Sequence, residues 1–259
     1  MERTATYLYC VVKATRRPPT ARAPLGLPGA TALEALALGG SLWLMVADVP
    51  LDVYGSEPLQ RALGDMQWVS EAALTHDGVV EYFSHRPGMT TVPLKMFTMF
   101  STRERALADM RARRRELGPI VKRIAGSEEW GVRVMRAAPA RPRTKGRTAA
   151  SSGAGFLAAK KQARDAAREA VELAADAAED AYNLLAGVAR QVSRRDDVPQ
   201  GAATPPLLDA AFLVAATRRA KFKAAARKAA SRCSEAGASL SVTGPWPAYN
   251  FVQLRDRRE

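Results

Sequence analysis

Hydrophobic and polar positions change their period several times along the chain, and each change marks an element. Residues 5–12 alternate, with Tyr7, Tyr9 and Val11 on one face, which predicts a strand. Pro18, Pro19, Pro24 and Pro28 then predict a loop. Gly39-Gly40 reads as a hairpin turn between a weak strand at 31–37 and a stronger one at 41–48, where Leu42, Leu44 and Val46 share a face. Helical spacing follows at 57–63 and 66–85. The second of these helices carries Trp68, Ala72, Val79 and Phe83 inward in spite of Gly78. A buried strand is expected at 91–99 and a helix at 103–124 interrupted by Gly118-Pro119. A further strand at 128–136 would have Trp130, Val132 and Val134 on one side.

From Ala137 to Gly153 the composition shifts to Pro, Arg, Thr, Ser, Gly and Ala, a mixture too poor in apolar surface to order itself, so 137–153 reads as a mobile loop or linker. Residues 155–195 form one long helical pattern without an internal proline, about 60 Å at ~1.5 Å per residue. Its stripe runs Ala163, Ala167, Ala170, Ala174, Ala177, Ala181, Leu185, Val188, Val192. The charges of this helix are banded: Lys160, Lys161, Arg164 and Arg168, then Glu169, Glu172, Asp176, Glu179 and Asp180, then Arg190, Arg194 and Arg195. Such a banded face is either simply solvated or a docking strip for another helix. Beyond it come a strand at 207–215 and a helix at 218–236, with Phe222, Ala225, Ala229 and Cys233 inward and Gly237 as its cap. A final strand at 238–243 follows.

The fold class implied is α+β with two domains, 1–126 and 127–259, each a ferredoxin-like or modified ferredoxin-like layer of sheet and helices. The second contains loop 137–153, the long helix 155–195 and an extended aromatic tail at 243–252. A chain of 259 residues that is 47% hydrophobic has material for two cores. No stretch reaches the ~20 apolar residues a bilayer span needs, and no secretory leader is evident before Lys13. Cys10 and Cys233 supply neither a disulfide framework nor a metal site and read as buried thiols of a cytoplasmic protein.

The formal net charge of +13 is the bulk property that asks for an acidic partner. Nucleic acid is the first suspect, and a basic nucleic-acid-binding module is the alternative to the reading reached below. The distribution argues against it. Arg111, Arg113, Arg114 and Arg115 belong to one helical segment, Arg141, Arg143, Lys145 and Arg147 to the linker, and Arg218, Arg219, Lys221, Lys223, Arg227 and Lys228 to another helix, without interleaved aromatics or a recognised motif. Catalytic machinery is equally hard to assemble. His76 and His85 are the only histidines, no phosphate-cradling glycine loop or nucleophile elbow is present, and metal-ligand spacings are missing. The reading is therefore of a non-enzyme with no cofactor and no metal. A hydrolase or transferase would need a pocket holding a perturbed group such as His76.

The C-terminus is the least ordinary part. Thr243-Gly244-Pro245-Trp246-Pro247-Ala248-Tyr249-Asn250-Phe251-Val252 puts three bulky aromatics where a chain end is usually polar and frayed. Burying each is worth roughly 1.5–3 kcal/mol, so the tail is expected to dock, with Trp246, Tyr249 and Phe251 either closing a core in cis or forming a recognition surface. This segment resembles the C-terminal signature of the gas vesicle protein F/L family. Tyr7-Leu8-Tyr9-Cys10-Val11-Val12, Val92 to Phe100, Glu129 to Val134, Ser152 to Leu157 with Lys160-Lys161, and Leu207 to Val214 follow in the family's order. Met96-Phe97-Thr98 departs from the Phe-Gly-Thr of some members. The resemblance implies a minor, cytoplasmic accessory component of the gas vesicle that binds the major shell protein and other accessory proteins during assembly, away from any membrane. The contact residues expected are Trp246, Tyr249 and Phe251 if the tail is exposed, and the Glu172, Asp176 and Asp180 face of the long helix.

Overall fold

The computed structural model describes residues 3–137, 153–195 and 205–254, with 153 and 154 described by backbone alone. The expected loop at 137–153 lies outside the described residues apart from its two ends. The chain divides into two compact units, 1–128 together with 246–259, and 129–245. The aromatic tail thus groups with the first unit, whereas the sequence reading attached it to the second domain.

In the first unit β1 (Thr4–Lys13) is central, and its sheet runs β2 (Glu34–Gly39), β3 (Leu42–Pro50), β1, β4 (Thr90–Pro93). Burial of both faces explains why Ala5 to Val12 is sealed throughout. The simple alternation expected of this strand fails at one point. The register against β3 shifts between Leu8 and Cys10, and this bulge inserts Tyr9 as an extra residue. Tyr7, Tyr9, Cys10 and Val12 consequently join one core, and Val11 turns away from it. The β2–β3 hairpin closes through Gly40 and Ser41, both with positive φ, because a two-residue turn matching strand twist requires that conformation.

The run expected as one strand at 91–99 is broken. β4 and β5 (Met99–Phe100) both pair antiparallel with β1, and between them the backbone leaves the ladder, with Phe97 at φ 61°. Three helices precede β4: α1 (Leu51–Tyr54), α2 (Ser56–Ala62) and α3 (Met66–Ser84). The Asp65 side chain caps α3 by accepting from the amides of Gln67 and Trp68, and Ala72, His76, Val79, Val80 and Phe83 form its buried face. The helix runs through Gly78, where a Cβ would meet nothing within 4 Å. After β5 the helical stretch divides at Arg113, into α4 (Arg103–Ala112) and α5 (Arg114–Ile124), and not at Gly118-Pro119. Pro119 sits inside α5, whose Leu117, Ile120 and Ile124 are buried.

The second unit has the chain order β6 (Ser127–Arg136), α6 (Gly153–Ala186), β7 (Gln191–Arg194), β8 (Leu208–Ala215), α7 (Arg219–Glu235), β9 (Ala238–Trp246), and its sheet order is β7-β8-β6-β9. This is the split βαβ, ferredoxin-like topology. The sheet of the first unit has the same order, second strand, third, first, fourth, with the loop 14–33 standing where the first helix would be.

The long helix stops short of its expected end. Helix α6 ends at Ala186, and Gln191–Arg194 instead pairs antiparallel with Leu213–Ala210. Gly187 weakens helix propagation, and the open edge of β8 offers Val192 a ladder that more helix could not. The core holds Trp130, Val132 and Val134 from β6, Phe212 from β8, Phe222 and Cys233 from α7, and Ala174, Ala178, Ala181 and Leu185 from α6. Phe222 lies 5.9 Å from Trp130 and 5.7 Å from Phe212, centroid to centroid. Helix α7 buries Ala226 where the expected stripe had Ala225, which is half-buried. Gly237, at φ 73°, ends the helix as expected.

Candidate partner-binding surfaces

The tail is tied down residue by residue. After the final strand the chain makes a 3-10 turn at Tyr249–Phe251, and Phe251 is only 2% exposed. Arg123, at the end of α5, donates from Nη2 to the Phe251 carbonyl at 2.7 Å. Tyr249 packs against the first core and donates its hydroxyl to Oδ1 of Asp77 on α3 at 3.0 Å. Burial raises the pKa of both groups. For Asp77 the Tyr249 hydrogen bond offsets part of that rise; for Tyr249 the neighbouring carboxylate adds to it, so the phenol stays a donor. Two of the three expected contact aromatics thus serve the first unit's interior. Trp246 differs: it is 43% exposed, with Pro245 and Pro247 on either side.

His76, the candidate proton shuttle, is locked in that interior. It is 3% exposed, Nδ1 accepts from the Tyr7 hydroxyl at 2.7 Å, and Nε2 faces the Leu94 carbonyl at 3.2 Å. The Phe97 amide donates to the Tyr7 oxygen at 3.1 Å. This chain of bonds assigns the neutral tautomer with its proton on Nε2, and burial lowers the pKa to about 4. The network holds the excursion between β4 and β5 in place. An open hollow of about 630 Å³ in the same unit is lined by Arg3, Leu51, Asp52, Gly55, Ser56, Glu57 and Pro58, without a histidine. Among the described residues no cluster of three or more His, Cys, Asp or Glu is placed to hold a metal ion. No helix among them is long and apolar enough to cross a membrane.

The other expected surface is on α6. Glu172, Asp176 and Asp180 are all exposed on its outer face. Arg168 lies 3.6 Å from Glu172, and Arg194 of β7 holds Glu179 at 2.5 Å. A larger feature surrounds them. Every residue from Phe156 to Leu173 is exposed, five turns of helix or about 27 Å, and the burial of α6 against its own unit begins after them, at Ala174. This half of the helix, hereafter the arm, displays Phe156 at 60% and Leu157 at 66% exposure, together with Val171 and Leu173. The stripe that packs into the core as Ala174, Ala178 and Ala181 continues along the arm as Ala163, Ala167 and Ala170, in solvent. Periodicity alone could not show this, since the stripe reads the same whether or not something covers it. The signal available was Phe156-Leu157 at the head of an otherwise hydrophilic helix. On α7, Arg218, Arg219, Lys221, Lys223, Arg227, Lys228 and Arg232 are exposed and turn a basic face outward.

These features define a two-domain α+β protein with ferredoxin-like sheets whose distinctive chemistry lies on accessible helices. The family model of the gas vesicle synthesis protein GvpL/GvpF matches residues 5–253, and the chain belongs to that family; it is a gas vesicle protein with an accessory role. It is 28% identical over 227 residues to gas vesicle protein L of Streptomyces sp. (strain CB03234), covering 84% of this chain and 82% of that protein. Among solved structures it is similar to the gas vesicle protein GvpF of Anabaena sp. PCC7120, with TM-score 0.70, 13% identity, and 99% of each chain covered. It is also similar to GvpF of Microcystis aeruginosa, with TM-score 0.64, 13% identity, and 96% of this chain and 99% of that one covered. At that identity the two structures establish the shared fold.

Proposed function

We propose that this protein is a non-enzymatic assembly factor that works in the cytoplasm, binding the major gas vesicle shell protein and other accessory proteins while the vesicle forms. The observation that carries this reading is the arm of α6, 18 consecutive exposed helical residues that include Phe156, Leu157, Val171 and Leu173. An isolated helix of this length is marginal in water, and most helical stability in proteins comes from packing an apolar face. A helix kept in this state suits a partner that supplies the missing face. Trp246 and the carboxylates Glu172, Asp176 and Asp180 are further proposed contacts. Tryptophan is enriched among residues that dominate interfaces, and a flanking charge field selects partners and speeds encounter.

The test is co-purification from cells forming gas vesicles, using the tagged full-length chain, a Phe156→Asp/Leu173→Asp variant and a Trp246→Ser variant, with circular dichroism to confirm each fold. Retrieval of shell and accessory proteins by the parent, lost in a folded arm variant, supports the reading. Unchanged retrieval by both variants removes these surfaces from the mechanism. Retrieval of nucleic acid in place of vesicle proteins overturns the reading in favour of the basic faces.

A further inference from the structure

The charges of α6 are arranged antisymmetrically about Ala170. Lys160 and Asp180 lie ten residues to either side of it, Lys161 and Glu179 nine, Arg164 and Asp176 six, and Arg168 and Glu172 two. Every cation of the arm therefore has a carboxylate at the same distance on the other side. The two charges left over, Asp165 and Glu169, mirror the neutral Ala175 and Val171, so the reflection sets no like charges together.

We propose that α6 pairs antiparallel with α6 of a second copy of this chain, about a two-fold axis at the level of Ala170. Antiparallel packing brings positions equidistant from the axis to the same height, so each cation–carboxylate pair that faces the partner occurs twice across the interface. Azimuth selects the face. At 100° per residue, Lys161 and Glu179 are separated by five whole turns and point the same way, and Arg168 and Glu172 lie within about 20° of that line. These four exposed side chains form one face, with Leu157, Val171 and Ala175 alongside it as the apolar part of the contact. Arg164 and Asp176 stand about 60° to either side of that line and Lys160 and Asp180 about 100°, on opposite flanks, so the two inner pairs carry the contact.

The structure leaves this face accessible. Phe156 to Leu173 is exposed throughout, and Ala174, Ala178 and Ala181, which seat the helix in its own unit, point well away from it. Two internal ion pairs already touch the face and do not block it. Arg168 and Glu172 are both largely exposed at 3.6 Å, a weak pair that exchanges readily. Arg194 engages Oε2 of Glu179 and leaves Oε1 to a second cation. Ala159, Ala163, Ala166, Ala170 and Leu173 lie on the opposite side of the helix, so the pair would still display two apolar stripes.

Sedimentation velocity of the purified full-length protein over a concentration series tests the pairing, without vesicle partners and so independently of the function proposed above. Lys161→Glu/Arg168→Glu makes the facing positions 161, 168, 172 and 179 all acidic, and Glu172→Lys/Glu179→Lys makes them all basic. The parent is expected to dimerise. Each reversed chain is expected to bind itself at least tenfold more weakly, about 1.4 kcal/mol, and an equimolar mixture of the two to recover a 1:1 dimer. A parent that stays monomeric at its highest soluble concentration overturns the proposal, as does a dimer with the same Kd in every variant. Should a reversed chain lose helix content by circular dichroism, salt decides on the parent alone: dissociation with rising salt supports the charged face, and a salt-indifferent dimer refutes it.

Discussion

Replacing Phe251 by alanine asks whether the tail is part of the first unit's core. The ring is almost wholly buried in a turn held by Arg123 through the residue's own carbonyl, which the substitution leaves in place. The loss is therefore of packing: about 3–5 kcal/mol for truncating a buried phenylalanine. The lower end is expected, because a single turn of three residues can detach locally and cap the penalty. Trp246→Ala is the control, since a residue 43% exposed gives up much less burial, ~1 kcal/mol. Urea unfolding followed by tryptophan fluorescence, with both proteins at equal concentration, reads the difference as a midpoint shift at constant slope. A Phe251→Ala protein within ~0.5 kcal/mol of the parent would refute the reasoning, as would Trp246→Ala costing more than Phe251→Ala.

Tyr249→Phe removes the hydrogen bond to Asp77 in a partly buried site and should cost ~1–2 kcal/mol, with Asp77→Asn in the same background recovering part of it in a double-mutant cycle. Acid titration should expose His76. Its folded pKa of about 4 lies below the ordinary 6.5, so its contribution is complete above pH 6.5 and is lost as the unfolded chain takes up the proton between pH 6.5 and 4. The loss is at most ~3 kcal/mol, and a His76→Gln protein should show a flatter pH–stability curve across that window. In the second unit, a Cβ placed on Gly131 would lie 2.7 Å from Oγ1 of Thr243, so Gly131→Ala should lower the unfolding midpoint by the equivalent of ~1–3 kcal/mol. Thr243→Ala should relieve much of that in the double variant.

Much of this architecture is visible in the residue pattern because strands and helices announce themselves locally. The 41–48 strand, α3 with Phe83 inward, and the strand at 128–136 depend on side chains a few positions apart. What the pattern conceals is set by partners remote in sequence. The bulge at Tyr9 shows itself only against β3 and decides the side to which Val11 points. Residues 191–194 continue the helical stripe of α6 acceptably and become a strand because β8 offers an edge. Asp77 meets Tyr249 across 172 residues, a pairing no local period encodes. The candidate surfaces divide in the same way: the charge bands of α6 are plain in the sequence, while the exposure of its first five turns is a property of the folded unit.

The composition of the first unit from both ends of the chain bears on how the protein is made. A ribosome delivers β1 well before Phe251, with the entire stretch 129–245 translated between them. At ~5–20 residues per second that interval is on the order of ten seconds. The ferredoxin-like second unit has all its strands and helices while the older one still lacks its closing turn. Until Tyr249 and Phe251 arrive, Asp77 and Arg123 wait for the hydrogen bonds that these two residues supply.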